Sequence, residues 1–270
     1  MVETSMEIRR VLAANPGPYT GPGTNTWILV SGSAAVIIDP GPVDATHAES
    51  IISELGEAVP RAVLVTHTHS DHAPLANPLA RDLGVPAVGH QPGPEFDPDE
   101  QLVEGSVLSV GDVDLSVIHT PGHSEDHLCF LAGKVLFTGD HIMGGGSVMI
   151  EDLIAYLHSL EKIRPLDLSA LYPGHGEVMD RPYEVIDWYV AHRLQREEEI
   201  ISAIDAGADT LALIVEEVYS SVDPSLHPLA SRSVRAHLAK LESEGLFTTV
   251  TNGSELKVRR MPPSQGKPDR

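Results

Sequence analysis

Cysteine is almost absent from this chain of 270 residues, because Cys129 is the only one. A lone cysteine cannot form an internal disulfide, so a reducing cytoplasm is the default compartment. Cys129 lies in the apolar segment His127–Leu131, which favours a buried strand residue over a nucleophile. The chain also lacks any apolar run of about 20 residues, the length that a transmembrane helix needs, so no membrane partner is expected. Residues 1–10 are too polar for a secretory leader, which again predicts a cytoplasmic protein.

Basic residues are also scarce: 18 lysines and arginines stand against 39 aspartates and glutamates, a net charge of −21. Residues 1–199 hold 30 acidic and 10 basic residues, whereas residues 200–270 hold 9 and 8. The acidic first part repels nucleic acid at long range, so tight binding to duplex DNA is not expected. The change in charge near residue 200 indicates a domain boundary.

The apolar pattern predicts strand hairpins that alternate with helices in the first part of the chain. One hairpin joins Asn25–Val30 to Ala34–Ile38, and the helix Ala45–Leu55 follows it. The second part predicts helices at Thr210–Tyr219 and Ser231–Glu244 and then a hairpin, the order of a winged-helix domain. The predicted organisation is a catalytic domain at 1–180, a linking helix at 181–205, a winged-helix-like domain at 206–260 and a disordered tail at 261–270.

The most informative segment is His67-Thr68-His69-Ser70-Asp71-His72, which follows the apolar strand Arg61–Val65. If the strand stays extended through His69, the alternation of side chains places His67 and His69 on the same side. Asp71 and His72 then fall in the first turn of a helix over Ala73–Leu83. One corner of the backbone therefore offers two ligand sets, which suits two metal ions better than one. A solvent-exposed polar loop is the alternative, and three histidines with an aspartate at this spacing disfavour it.

The same arrangement recurs at the ends of other predicted strands, where a turn presents a histidine or an aspartate. His123 follows Pro121-Gly122, Asp140 follows Gly139, and His175 follows Pro173-Gly174. Asp39 also ends a buried strand, as a turn former or as a group that orients a metal ligand. Ligands that come from several strand ends are what a preorganised site on a rigid scaffold requires.

These motifs together resemble the metallo-β-lactamase superfamily. The matching motifs are H-x-H-x-D-H at 67–72, T-P-G-H at 120–123, F-T-G-D at 137–140 and Y-P-G-H-G at 172–176, within residues 8–180. The resemblance implies an α+β fold, a four-layer αββα sandwich, followed here by a small winged-helix domain. By carry-over onto matching positions, His67, His69 and His123 would bind one zinc ion. Asp71, His72 and His175 would bind a second, and Asp140 would bridge the two; manganese or iron are alternatives to zinc.

The chemistry implied by this resemblance is hydrolysis without a protein nucleophile. Neutral imidazoles with only two carboxylates leave the metal pair positive, so a bridging water would be partly hydroxide near neutral pH. Asp71 would orient that hydroxide as the catalytic carboxylate, and the metals would stabilise the oxyanion that forms on attack.

Two further segments, Gly146–Leu160 and Tyr189–Glu197, are similar to the beta-lactamase-like protein 2 branch of the superfamily. This branch carries a winged-helix domain and includes single-strand-specific endoribonucleases, so phosphodiesters of single-stranded RNA are the first expected substrate. Thioesters, as in hydroxyacylglutathione hydrolases, and lactam or lactone rings are the alternatives. The second segment could also be a plain helix in which Arg193 and Glu197 pair along one face.

A function of another class is a DNA-binding regulator in which the metal domain is only a sensor. The helix that would read DNA has a thin basic face, because Glu242 and Glu244 accompany its cations Arg232, Arg235, His237 and Lys240. A packing module or a homodimer contact is the preferred interpretation of this helix. Redox chemistry on a di-iron centre is a third option, and it would need a flavin-binding partner domain that this chain does not contain.

Overall fold

A computed structural model describes residues 6–252 and 255–261. The tail predicted to be disordered lies outside the described residues except for Met261, and so does the Gly253-Ser254 turn of the last hairpin. Among the described residues, no helix is both long and apolar enough to cross a bilayer.

Two β-sheets form the centre of the first domain. The six-stranded sheet has the order β1-β2-β3-β4-β5-β6. Its strands are β1 (Met6–Leu12), β2 (Asn25–Ser31), β3 (Ala34–Ile38), β4 (Val59–Leu64), β5 (Ala87–Gly89) and β6 (Glu100–Gln101). The five-stranded sheet has the order β11-β10-β9-β8-β7. Its strands are β7 (Val107–Val110), β8 (Val113–His119), β9 (Leu128–Ala132), β10 (Val135–Gly139) and β11 (Ala170–Pro173).

Strand residues alternate between an inner and an outer core, as the two-residue period of a strand requires. Trp27 and Leu29 point into the core between the sheets, where they meet Phe130 and Phe137. Ile28 and the other outward residues of the first sheet pack against helices α1 (Ala45–Leu55) and α2 (Ala76–Leu83). The outer face of the second sheet packs against α3 (Leu153–Ile163) and α4 (Pro182–Asp205). The α+β class and the four-layer αββα sandwich are therefore confirmed.

Helix α1 has the bounds that the sequence predicts because local caps fix both ends. The Asp44 side chain accepts a hydrogen bond from the His47 amide, and Gly56 ends the helix with a positive φ of 58°. Helix α2, in contrast, begins at Ala76 and not at Ala73 as predicted. The carbonyl of His72, which would accept the first helical hydrogen bond, instead accepts one from the Gly41 amide at 3.0 Å.

The C-terminal domain consists of α5 (Leu211–Val218), a short 3-10 helix (Pro224–Leu226), α6 (His227–Ser243) and the hairpin of β12 (Phe247–Asn252) and β13 (Glu255–Arg260). The predicted buried stripe of α6 is confirmed: Val234, Leu238 and Leu241 are each at most 1% exposed. The predicted start of α6 was four residues too late, because Pro228 occupies its first turn, a position that favours proline.

Candidate metal centre

All four predicted ligand segments, with Asp39, meet at one edge of the sandwich. Strands β3 and β4 are parallel, and so are β10 and β11. Strand β8 runs parallel to β10, because each is antiparallel to β9. Within each sheet the carboxyl ends of these strands therefore lie at the same edge. Contacts between the turns that follow them, such as His72 with His175 and His69 with His123, bring the two edges together at the candidate ligands.

The loop that carries His67 and His69 is not an extension of β4, as predicted, because that strand ends at Leu64. The Thr66 amide does not continue the hydrogen bonding of the strand and instead donates to Asp39 Oδ1 at 2.7 Å. The prediction that the two histidines are adjacent is nevertheless met, with 2.9 Å between His67 Nε2 and His69 Nδ1. Asp71 and His72 lie in a turn before α2, not in its first helical turn, and the His72 amide donates to the His69 carbonyl at 3.0 Å.

Three imidazoles form the first ligand set. His69 Nδ1 lies 2.9 Å from His67 Nε2 and 3.0 Å from His123 Nε2. His67 and His123 are buried, whereas His69 is partly exposed. The ring nitrogens that face one another are those that could bind a single ion.

The second ligand set combines Asp71, His72 and His175. His72 Nε2 lies 3.2 Å from His175 Nε2, and Asp71 Oδ2 lies 3.4 Å from the first nitrogen and 3.1 Å from the second. His72 and His175 are buried, and the Asp71 side chain is 24% exposed.

Asp140 joins the two sets. Its Oδ1 lies 3.4 Å from His72 Nε2, and its Oδ2 lies 3.7 Å from His123 Nε2 and 3.4 Å from His175 Nε2. Gly174 keeps the neighbouring space open, since a Cβ there would lie 2.5 Å from Asp140 Oδ1 and 2.7 Å from His72 Cε1. This carboxylate is therefore placed to serve both sets at once.

In four of the five candidate histidines the ring nitrogen that faces away from the centre contacts an oxygen atom, which fixes the orientation of those rings. Asp39 Oδ2 lies 2.9 Å from His72 Nδ1, and the Thr66 hydroxyl lies 2.9 Å from His67 Nδ1. Backbone carbonyls accept the other two hydrogen bonds: Met149 O lies 2.8 Å from His123 Nδ1, and Gly23 O lies 3.1 Å from His175 Nδ1. Asp39 thus orients a candidate ligand, one of the two roles that the sequence left open.

Three further positioning residues were missed by sequence reasoning. Asp126 accepts a hydrogen bond from the Thr68 amide at 2.8 Å and so holds the loop of His67 and His69. His127 Nε2 accepts one from the Asp140 amide at 3.1 Å. Asn25 donates to the carbonyls of Pro173 and Gly176, on either side of His175. The sequence offered one signal, the polar pair Asp126-His127 directly before a buried strand.

The pKa values of the buried histidines shift in opposite directions in the two sets. Burial, with His72 nearby, lowers the pKa of His67, and burial lowers the pKa of His123, so these two imidazoles are neutral at pH 7. Burial also acts to lower the pKa of His72, but the carboxylates of Asp140, Asp71 and Asp39 raise it well above the usual range. The pKa of His175 is also raised: burial acts to lower it, but hydrogen bonds with Asp140 and Asp71 outweigh burial and raise it to about 9.

The donor set fits two metal ions. The candidate ligand atoms of each group lie within 4.8 Å of one another, and nitrogens bound to one tetrahedral zinc at about 2.0–2.1 Å would be about 3.3 Å apart. Asp140 Oδ1 is buried without a hydrogen-bond partner among the described residues. Such an atom is costly unless something absent from the protein chain satisfies it. Cys129, by contrast, is buried, and burial raises its pKa to about 12, so it is no nucleophile.

The candidate centre opens into a cavity of about 780 Å³ between the two domains. One side is lined by the loop over residues 18–22 and by the candidate ligands His69, Asp71 and His123. Helix α4 and the C-terminal domain line the other, the latter including Tyr219, Val222, Leu226, Leu229 and Arg232. The second domain is thus part of the wall of the site.

The chain matches known proteins over both domains. Residues 19–175 match the metallo-beta-lactamase superfamily, and residues 210–252 match the beta-lactamase associated winged helix domain. The beta-lactamase-like protein 2 homolog of Drosophila melanogaster is 34% identical, over 91% of this chain and 91% of that protein. The atrochrysone carboxyl ACP thioesterase of Aspergillus fumigatus is 35% identical, over 80% of this chain and 74% of its own length.

A solved structure has the same fold throughout. The crystal structure of a beta-lactamase domain protein from Burkholderia ambifaria superposes with a TM-score of 0.79, covering 94% of this chain and 91% of the other at 22% identity. The predicted resemblance to the branch with a C-terminal winged helix is therefore confirmed. The chain belongs to the metallo-beta-lactamase superfamily, as a metal-dependent hydrolase that carries the associated winged-helix domain.

Proposed function

We propose that this protein is a dinuclear zinc hydrolase in which His67, His69 and His123 hold one ion and Asp71, His72 and His175 hold the other. The observation that carries the proposal is the position of Asp140, whose two oxygens lie within 3.4–3.7 Å of nitrogens from both sets. Bound zinc would supply Lewis acidity and lower the pKa of a coordinated water to about 7. The protein itself supplies the orientation of the candidate ligands and the burial of four of the five histidines, His67, His72, His123 and His175.

Asp71 is the proposed catalytic carboxylate. Its Oδ2 contacts the Nε2 atoms of His175 and His72. The Thr24 hydroxyl lies 3.4 Å from the same oxygen. Its Oδ1 takes part in none of these contacts, and the residue lines the cavity. We infer that Oδ1 accepts a hydrogen bond from the attacking water and orients it toward the substrate.

The first proposed substrate is a phosphodiester of single-stranded RNA. This assignment is supported by 34% identity over nearly the whole chain to a beta-lactamase-like protein 2 homolog. The first domain is strongly acidic, so RNA would enter as a short single strand that meets the arginines of α4 and α6 in the cavity wall.

A thioester is the second candidate, and two observations favour it. The Aspergillus fumigatus relative, 35% identical, is named as an acyl carrier protein thioesterase. The C-terminal wall of the cavity also includes the apolar side chains Val222, Leu226 and Leu229, which suit an acyl group.

The test is a substrate panel for the zinc-loaded protein and for His69→Ala, which lacks one ligand of the first set. Labelled single-stranded RNA, a glutathione thioester and a chromogenic cephalosporin, the last for lactam hydrolysis, cover the candidate classes. We expect one class to be cleaved by the wild type and at least about 100-fold more slowly by His69→Ala, because the metal pair is incomplete. Equal rates for both proteins, or fewer than one zinc ion per wild-type chain, would contradict the proposal.

We also propose that α6 does not read duplex DNA. His237, one of its predicted basic residues, is buried, and Lys240 pairs with Glu197 at 2.8 Å and Glu244 at 2.7 Å. Arg232 and Arg235 are the remaining cations of the predicted face. A gel shift with the full chain should show no salt-sensitive retention of duplex DNA, and tight retention would favour the regulator instead.

A further inference from the structure

Arg193 is a buried cation in the middle of α4, with only 2% of its surface exposed. It does not pair with Glu197, as the plain-helix alternative supposed, because that carboxylate binds Lys240. Its Nη2 donates to Ser147 Oγ at 2.7 Å and to the Val148 carbonyl at 2.9 Å.

The surroundings of Arg193 contain no counter-ion among the described residues. Its Nε has no hydrogen-bond partner there, and its guanidinium carbon lies 5.7 Å from the centroid of the Tyr156 ring. Burial lowers the pKa of Arg193, and the groups that influence this pKa most after burial are three tyrosines and Arg196, not a carboxylate. Buried charges are normally paired, so an anion from outside the protein chain would stabilise this guanidinium.

A second unpaired arginine reaches the same segment from the C-terminal domain. Arg232 of α6 is exposed, and its Nη1 lies 3.6 Å from Met149 Sδ. Within the described part of the chain it forms no ion pair with a carboxylate. Arg193 and Arg232 therefore contact three consecutive residues, 147–149, and both line the cavity that contains Asp71 and His123.

This concentration of positive charge is unusual for the chain, whose first 199 residues hold 30 acidic and 10 basic residues. Arg196 also lines the cavity, but its Nη1 forms an ion pair with Glu199 Oε2 at 2.7 Å. Its guanidinium carbon also lies 4.4 Å from the centroid of the Tyr219 ring. The unpaired charge in the cavity wall is thus that of Arg193 and Arg232.

We propose that Arg193 and Arg232 bind a phosphate group of the substrate, at a distance from the bond that is hydrolysed. Guanidinium groups suit this role because their planar donors match the oxygens of a phosphate. The inference rests on the proposed function, since it takes the cavity to hold the substrate of the metal centre. A neighbouring phosphate of an RNA strand and the phosphate of a nucleotide-carried thioester are the two sources of this chemistry.

The test compares substrates that share a reacting bond and differ in whether they carry charged phosphate away from it. One pair is an acyl thioester of coenzyme A and the same thioester of neutral N-acetylcysteamine. The other is a short RNA and the same RNA with one neutral methylphosphonate linkage beside the cleaved bond. For Arg232→Ala we expect kcat/KM to fall about tenfold or more on the phosphate-bearing member and to stay within about twofold on the neutral member.

Arg235→Ala is the matched control, because it removes the same charge from an exposed position on the same helix that does not line the cavity. It should leave both members of each pair unchanged. Arg232→Ala losses that are equal on both members, or absent from both, would overturn the proposal. Arg193→Lys keeps the charge and loses the planar donors, so it should weaken the same preference, and a retained zinc content shows that the metal centre is intact. An unchanged preference in Arg193→Lys would show that Arg193 does not bind the phosphate.

If the wild type hydrolyses neither pair, the proposed substrates are wrong, and the phosphate site is tested by binding alone. A nucleoside bisphosphate is titrated into the zinc-loaded full chain and into both α6 variants. A Kd that rises about tenfold in Arg232→Ala and not in Arg235→Ala supports the site. Equal values in all three proteins overturn it.

Discussion

The carboxylate of Asp39 lies 2.9 Å from His72 Nδ1, and both side chains are buried. Asp39 follows β3, whereas His72 follows β4, so a residue at the end of one strand orients a candidate ligand at the end of the next strand. The same carboxylate accepts hydrogen bonds from the amide and the hydroxyl of Thr66, both at 2.7 Å. Asp39 adopts a φ of 53°, unusual for a residue with a side chain, and its three contacts stabilise this strained backbone.

Asp39→Ala should weaken zinc binding at the second ligand set by about 10- to 100-fold, the usual effect of losing a carboxylate behind a ligating histidine. The measurement is zinc affinity by competition with a chromogenic chelator. Asp82→Asn, at an exposed position on α2, is the control for a lost surface charge. An Asp39→Ala protein that binds two zinc ions with wild-type affinity would show that His72 needs no such partner.

Metal stoichiometry should separate the two ligand sets. His69→Ala and His175→Ala are each expected to retain about one zinc ion per chain, because each removes a ligand from only one set. Asp140→Ala is expected to reduce occupancy at both. Elemental analysis of protein dialysed against buffered zinc provides the measurement, and about two zinc ions, or none, in either histidine variant would refute the division into two sets.

Zinc binding should release protons at pH 7. In the metal-free protein, hydrogen bonds with Asp140 and Asp71 outweigh burial and raise the pKa of His175 to about 9, so His175 is protonated. Zinc binds the neutral imidazole, and the proton must leave. Zinc affinity should therefore rise with pH up to about 9, where His175 becomes neutral without metal. Calorimetric titrations in buffers of different ionisation enthalpy measure the release, and His175→Ala should release fewer protons than the wild type.

Tyr189→Phe should destabilise the protein by about 1–3 kcal/mol, the cost of leaving buried backbone groups without a partner. The Tyr189 hydroxyl lies 2.5 Å from the Gly146 carbonyl and accepts a hydrogen bond from the Met143 amide at 3.1 Å. These contacts hold the loop that leads to Met149, the partner of His123. Tyr183→Phe is the comparison, because that hydroxyl also bonds to backbone groups but belongs to an exposed side chain. Chemical denaturation that gives equal losses for both variants would contradict the expectation.

The identities of the candidate ligands could be predicted from the sequence because each follows an apolar strand through a short turn. Proline and glycine mark those turns, and no knowledge of distant residues is needed to find them. Helix α1 and the β2–β3 hairpin could be bounded for a similar reason, since the cap Asp44 and the turn Ser31-Gly32-Ser33 act within a few residues.

Predictions failed where a backbone group bonds to a partner far along the chain. Strand β4 ends before Thr66 because the Thr66 amide donates a hydrogen bond to Asp39. Helix α2 begins late because the His72 carbonyl accepts a hydrogen bond from the Gly41 amide. The alternative in which Arg193 pairs within its own helix is wrong, because Arg193 bonds to a loop more than forty residues earlier in the chain.

The sequence by itself determined which side chains can bind metal, which segments form strands and helices, and the family that this combination indicates. Only the tertiary structure decided which of its two possible roles Asp39 has, that the Met149 carbonyl orients His123, and that two arginines without counter-ions among the described residues line the cavity beside the candidate ligands. The reason is physical: a motif depends on neighbours in the chain, whereas a shared carboxylate, a buried hydrogen bond and an unpaired charge depend on distances between segments that only folding brings together.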